Sequence, residues 1–174
     1  MLHLLMPKDY EISALLPNQV TSNYQTTLVT NKKEKIFLHT KIKTVIRHLA
    51  IRNSLDLCCL RAKSGHLTIA SQLQPLPFSP ELLLVPLKIH IPKFRGDSTV
   101  GYVNFHHVAS LHANQSTTSL LLHNGTSINV LWREHTVKTH LQKAYLTALE
   151  QEKQFSKLAE RVLLRLLRSS TKKH

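Results

Sequence analysis

Twelve histidines and two cysteines are the residues of this 174-residue chain best suited to metal or acid–base chemistry. The densest group is His106-His107 with His112. Adjacent histidines on a strand point to opposite faces, so they do not converge on one ion. Cys58 and Cys59 are neighbours, a spacing that suits neither a disulfide framework nor a metal knuckle, and they are expected to be reduced and buried, as in the cytoplasm. Serines and histidines are plentiful, but no GxSxG elbow, P-loop, GxGxxG or HExxH accompanies them. Only ten acidic residues and four glycines are present, which supplies carboxylate pairs and phosphate-cradling loops poorly. No catalytic residue, no metal site and no cofactor is therefore expected, and the chain does not read as an enzyme.

The cations carry a stronger signal. Lys32, Lys33, Lys35, Lys41, Lys43, Arg47, Arg52, Arg61 and Lys63 stand against only Glu34 and Asp56 through that stretch. Unneutralised like charges destabilise a fold unless a polyanion answers them, so these nine are the candidate DNA-binding residues. The whole chain agrees, with a formal charge of +13 and a pI near 10.1. Lys157, Arg161, Arg165 and Arg168 recur every three or four residues near the end, on a face that either meets DNA or keeps a dimer helix soluble. No zinc-finger spacing, RNA-binding aromatic motif, basic zipper or helix-turn-helix is visible. Aromatic residues make up 6% of the chain, too few for stacking platforms on single strands. Double-stranded DNA read through phosphates and shape is the expected partner, with an RNA- or ribosome-associated structural role as the alternative. No apolar run approaches the roughly 18 residues of a membrane span, so no membrane is expected.

The elements that must position these residues form an α+β fold: antiparallel strands, a short basic helix and a long C-terminal helix. Tyr10–Leu16, Thr26–Thr30 and Lys35–His39 read as a small meander with a basic turn at Asn31–Glu34. From Thr40, Ile42, Val45, Ile46, Leu49 and Ala50 follow a helical period, with Thr40 as the expected N-cap and Asn53-Ser54 as the stop. Arg61–Gly65 reads as a basic turn and His66–Ala70 as a strand. Pro75, Pro77 and Pro80 make 72–80 a stiff connection. Leu82–Val85 suits a central strand stopped by Pro86, after which Leu87–Ile91 takes an edge position or a loop. Lys93–Asp97 is a second basic turn. Val100–Val108 alternates as a strand and leads through a polar loop to a hairpin.

That hairpin has the strongest local signature in the chain, because Asn124-Gly125 suits a two-residue turn with positive φ at both positions. Such a turn places Leu121 opposite Ile128, with Leu121, Ile128 and Val130 on one face and Leu120, Leu122 and Leu131 on the other. Residues 136–167 lack Gly and Pro and carry a stripe through Leu141, Tyr145, Ala148, Glu152, Phe155, Ala159, Val162 and Leu166, either as one helix or as two joined near Glu150–Gln154. Of these, Leu141, Tyr145, Phe155, Val162 and Leu166 are the candidate oligomerisation residues. The expected organisation is a sheet-bearing DNA-binding domain at 1–135 and a helix with a disordered basic tail at 136–174.

The order of these features resembles the bacterial competence transcription factors, ComK and its relatives, from about Tyr10 to Thr147. The likeness lies in Tyr10-Glu11-Ile12 with Leu16-Pro17, in the basic turn at Arg61–Gly65, and in Leu84-Val85-Pro86 where the family has Phe-Pro-Thr. It continues with Tyr102-Val103 in place of Trp-Ile, His107-Val108, the strand into Asn124-Gly125, and the helix start at Thr136. The resemblance implies a transcription activator that binds AT-rich promoter boxes, mainly through the minor groove, as a dimer or pair of dimers. It implies competence genes as targets, with RNA polymerase and an adaptor-protease system as further partners.

Overall fold

The computed structural model describes residues 6–20, 23–60, 73–92 and 98–170, with side chains at 6–18, 26–60, 73–92 and 98–165. Its architecture is α+β, as expected. One antiparallel sheet contains β1 (Ile12–Val20), β2 (Asn23–Thr30), β3 (Lys35–Leu38), β4 (Leu76–Ser79), β5 (Leu82–Lys88) and β6 (Val100–Asn104), in the order β3-β2-β1-β6-β5-β4. A second holds β7 (Val108–Ala113), β8 (Thr118–Leu122) and β9 (Ser127–Val130) in sequence order. Helix α1 (Ile42–Arg52) follows β3, and α2 (Glu134–Ser170) follows β9. The expected turn at Arg61–Gly65, strand at His66–Ala70 and turn at Lys93–Asp97 lie outside the described residues.

The larger sheet is the middle layer. On one face Ile12, Leu15, Leu28, Leu82 and Leu84 meet Ile42, Val45, Ile46 and Leu49 of α1. On the other, Ala14, Val29, Leu83, Val85 and Val103 meet Leu120, Leu122, Ile128 and Val130 of the smaller sheet, together with Val137 and Ala144 of α2. Burial on both faces explains why β5 is an uninterrupted apolar run rather than an alternating one.

Pro86 does not stop β5, contrary to the expectation. Lys88 O accepts from Leu131 N, so the backbone groups of the even-numbered residues here point away from β6. Pairing with β4 ends at Leu84, so the proline occupies an edge-like stretch where no ladder bond is lost. The stiff connection before it partly forms β4, an edge strand that tolerates Pro77 for the same reason. Pro17 shortens another ladder. Pairing of β1 with β6 covers only Ala14 to Val103 and Leu15 to Tyr102. At Gly101 an added Cβ would lie 3.1 Å from Leu15 O and 3.3 Å from Pro17 Cδ, so glycine lets the strands pass closely.

The strand expected over 100–108 ends at Asn104. A 3₁₀ turn at Phe105–His107 follows, and the supposed polar loop is strand β7. Asn104 is fully buried and bonded on every side. Its Nδ2 donates to Ile12 O at 3.0 Å and Glu81 O at 2.9 Å, while Oδ1 accepts from Leu83 N and His106 N, each at 3.3 Å.

The hairpin is present with a different register. Leu120 pairs with Ile128 and Leu121 with Ser127, one residue away from the expected alignment. Gly125 alone takes a left-handed conformation, φ 78°, while Leu122 N bonds Thr126 O across a three-residue loop. This is the turn-plus-bulge solution, which needs a single positive φ. It puts Leu120, Leu122, Ile128 and Val130 on the buried face and leaves Leu121 half-exposed, the arrangement that the core requires.

Three smaller expectations also change. Lys41, not Thr40, precedes α1, and no side chain caps it; the Thr40 carbonyl instead accepts from Thr26 Oγ1 at 2.8 Å. Cys58 and Cys59 are exposed, because the helical turn at 57–60 directs Leu60 inward and Asp56 Oδ1 caps it through Cys59 N. Helix α2 is one continuous helix of 37 residues, with no break near Glu150.

Candidate nucleic-acid interface

The tip of the β2–β3 turn is held from several directions. Thr30 N donates to Glu34 O at 2.9 Å and Glu34 N to Thr30 Oγ1 at 3.1 Å, closing the turn on itself. Lys33 sits in the left-handed region, φ 67°, a strained position for a long side chain that these bonds over-determine. Asn31 N donates to Glu11 O at 2.8 Å, and Asn124 Nδ2 reaches Thr30 O at 2.7 Å. Two turns far apart in sequence are thereby joined. Lys33 reaches towards this second turn, its Nζ 3.9 Å from where a Cβ on Gly125 would lie, and Lys35 follows on the edge strand; Lys32, Lys33 and Lys35 are all exposed.

Helix α1 runs back from the far end of β3 towards the same end of the molecule. Its buried stripe turns Lys43 and Arg47 outward, with Lys41 exposed just ahead of the first turn. The first turn has no acidic residue, although the helix dipole favours one there. Among the described residues, Lys32, Lys33, Lys35, Lys43 and Arg47 take part in no ion pair. Residues 31–54 carry seven basic side chains and one acidic one.

Arg52 is the exception. Its guanidinium pairs with Asp9 and donates to Pro7 O at 2.7 Å, so it ties the segment before β1 to the end of α1 and is withdrawn from the expected contact set. Arg61 and Lys63 lie outside the described residues. Among the described residues, no group of three or more His, Cys, Asp or Glu is placed to hold a metal ion. His106 and His107 stand in the 3₁₀ turn rather than on opposite faces of a strand. His107 Nδ1 is 2.7 Å from the Oγ of Ser13, a residue only 1% exposed. Burial, then the neighbouring His106 and His123, holds the His107 imidazole below its ordinary pKa.

The oligomerisation set divides. Leu141 packs against the core with Ala144, whereas Tyr145, Phe155 and Val162 are exposed, and the side chain of Leu166 lies outside the described ones. Leu141 is thus a body contact. The hairpin turn at Asn124 is not legible in the sequence as a neighbour of the lysine turn, because contacts between residues 94 positions apart leave no local pattern.

No family model matches this chain, and no similar curated protein or solved structure is found. No helix among the described residues is long and apolar enough to cross a membrane.

Proposed function

We propose that this protein is a cytoplasmic DNA-binding transcription activator, acting as a self-associated species on AT-rich promoter boxes and mainly through the minor groove. One observation carries the reading: Lys32, Lys33, Lys35, Lys43 and Arg47 are exposed, take part in no ion pair among the described residues, and are borne by a single β2–β3–α1 unit. Such a surface gains most from a dense polyanion, whose condensed counterions are released on contact. A narrow A-tract groove concentrates negative potential and attracts inserted Lys or Arg, so selection by shape needs no base-reading helix. The rigid lysine turn is the element that enters the groove, and the outer face of α1 follows the phosphates. Competence genes as targets, with RNA polymerase and an adaptor-protease system as further partners, come from the resemblance described above.

The test is a mobility-shift titration of the full chain on AT-box and GC-only duplexes, with and without a minor-groove drug. The AT-box duplex should bind more tightly and be displaced by the drug. Replacing Lys32 and Lys33 together by Ala should weaken binding at least about tenfold and lower the salt slope by about two. Equal affinity for both duplexes, or drug-insensitive binding with a preference for RNA, overturns the proposal and favours the RNA-associated alternative.

A further inference from the structure

Helix α2 changes surroundings half-way along. Over its first half Val137, Leu141, Ala144 and Ala148 pack against the body. Continuing at steps of three and four residues, the same face reaches Phe155, Ala159 and Val162, beyond the edge of the body at Pro80 and His106. Phe155 and Val162 are each 49% exposed there, and Leu158 and Leu163 on their flanks are 57% exposed. An apolar face that starts as core ends as an overhang in water.

We propose that the overhang packs antiparallel against the overhang of a second copy of this chain. The direction follows from sterics. The body lies on the same side of α2 as the stripe, so a partner helix running parallel along it would drive its own first half into the sheets covering residues 137–148. A reversed partner instead extends the layer those sheets form. Its C-terminal end then meets the groove between Pro80, His106, Ala148, Gln151, Glu152 and Phe155.

Charge selects the same direction. Of the charges on or beside the stripe, Glu152 lies at the end of the overhang nearest the body and Arg165 towards its tip. Antiparallel packing sets acidic against basic ends; parallel packing sets like on like. The area is also adequate. Phe155, Leu158, Val162 and Leu163, about half exposed, offer on the order of 400 Å² of apolar surface per copy, and the polar residues flanking them bring the contact towards the roughly 1,000 Å² in total expected of a specific interface. The pairing rests on the self-association part of the proposed function and is independent of duplex binding.

Sedimentation of the full chain without nucleic acid tests it. The wild type should run at twice 19.9 kDa. Val162→Glu should raise the dissociation constant at least about tenfold, since a charge would be buried without a partner. The near-ultraviolet signal of Trp132, in the body, should stay the same. Leu164→Glu, on the opposite side of the helix, should leave the dimer intact. Direction is read by cross-linking on a Cys58→Ser, Cys59→Ser background: chains carrying Gln151→Cys mixed with chains carrying Arg165→Cys should give the mixed disulfide. A monomeric wild type, a Val162→Glu chain that dimerises as tightly as wild type, or disulfides only between like positions overturns the proposal.

Discussion

Asn104 joins three parts of the molecule through one amide: the start of β1, the β4–β5 turn and the 3₁₀ turn after β6. Asn104→Leu keeps the size of the side chain and removes all four bonds, leaving buried backbone groups unsatisfied at about 1–3 kcal/mol each. The expected result is a loss of about 3 kcal/mol or more in urea unfolding, and no measurable loss would show that water replaces the amide. His107 and His140 make a second prediction at this scale. Burial lowers both imidazole pKa values, with His106 and His123 adding to the effect at His107 and Lys143 at His140, which also stacks on Trp132. A depressed histidine pKa means that the unfolded chain binds the proton more readily, so its contribution to stability is present above about pH 6.5 and is lost as pH falls towards the folded values. Melting temperature should therefore drop between pH 7 and pH 5, and His107→Asn should flatten that drop. A profile unaffected by the substitution would count against the assignment.

At the scale of elements, the hairpin turn and α1 matter most. Gly125 supplies the only positive φ in its loop, and an added Cβ would meet nothing nearer than Lys33 Nζ at 3.9 Å. Gly125→Ala should thus cost only the left-handed penalty of about 1–2 kcal/mol, with no clash added. Because Asn124 ties this turn to Thr30, the same substitution should also loosen the lysine turn. Amide exchange at Lys33 should rise with it, and unchanged exchange would separate the two turns. Helix α1 shows how far pattern reading reaches. Its inward stripe of Ile42, Val45, Ile46, Leu49 and Ala50 is legible because helical periodicity is local. The ion pair that removes Arg52 from the basic face is not, since Asp9 lies 43 residues away.

For the whole molecule, the cationic side and the overhang make separate demands. If the β2–β3–α1 unit follows phosphates, the logarithm of the association constant should fall linearly with that of salt, by about 0.9 per phosphate contacted. Lys43→Glu with Arg47→Glu should reduce that slope without altering the sedimentation of the free chain. A slope unchanged by the pair would place α1 away from DNA. Removing residues 155–174 should have the opposite pattern, abolishing self-association while sparing the body, whose contacts with α2 are made by Val137, Leu141, Ala144 and Ala148.

Composition and periodicity by themselves determined the α+β class, the cationic run from Lys32 to Arg47, the existence of the hairpin and the Gly- and Pro-free final helix. Each of these is written within a few neighbouring residues. The tertiary structure decided the rest: the one-residue register of β8 on β9, the passage of β5 through Pro86, the exposure of Cys58 and Cys59, the loss of Arg52 to Asp9 and of Leu141 to the core. All five depend on which distant surface covers a residue, and a side chain cannot report in sequence what will be folded against it.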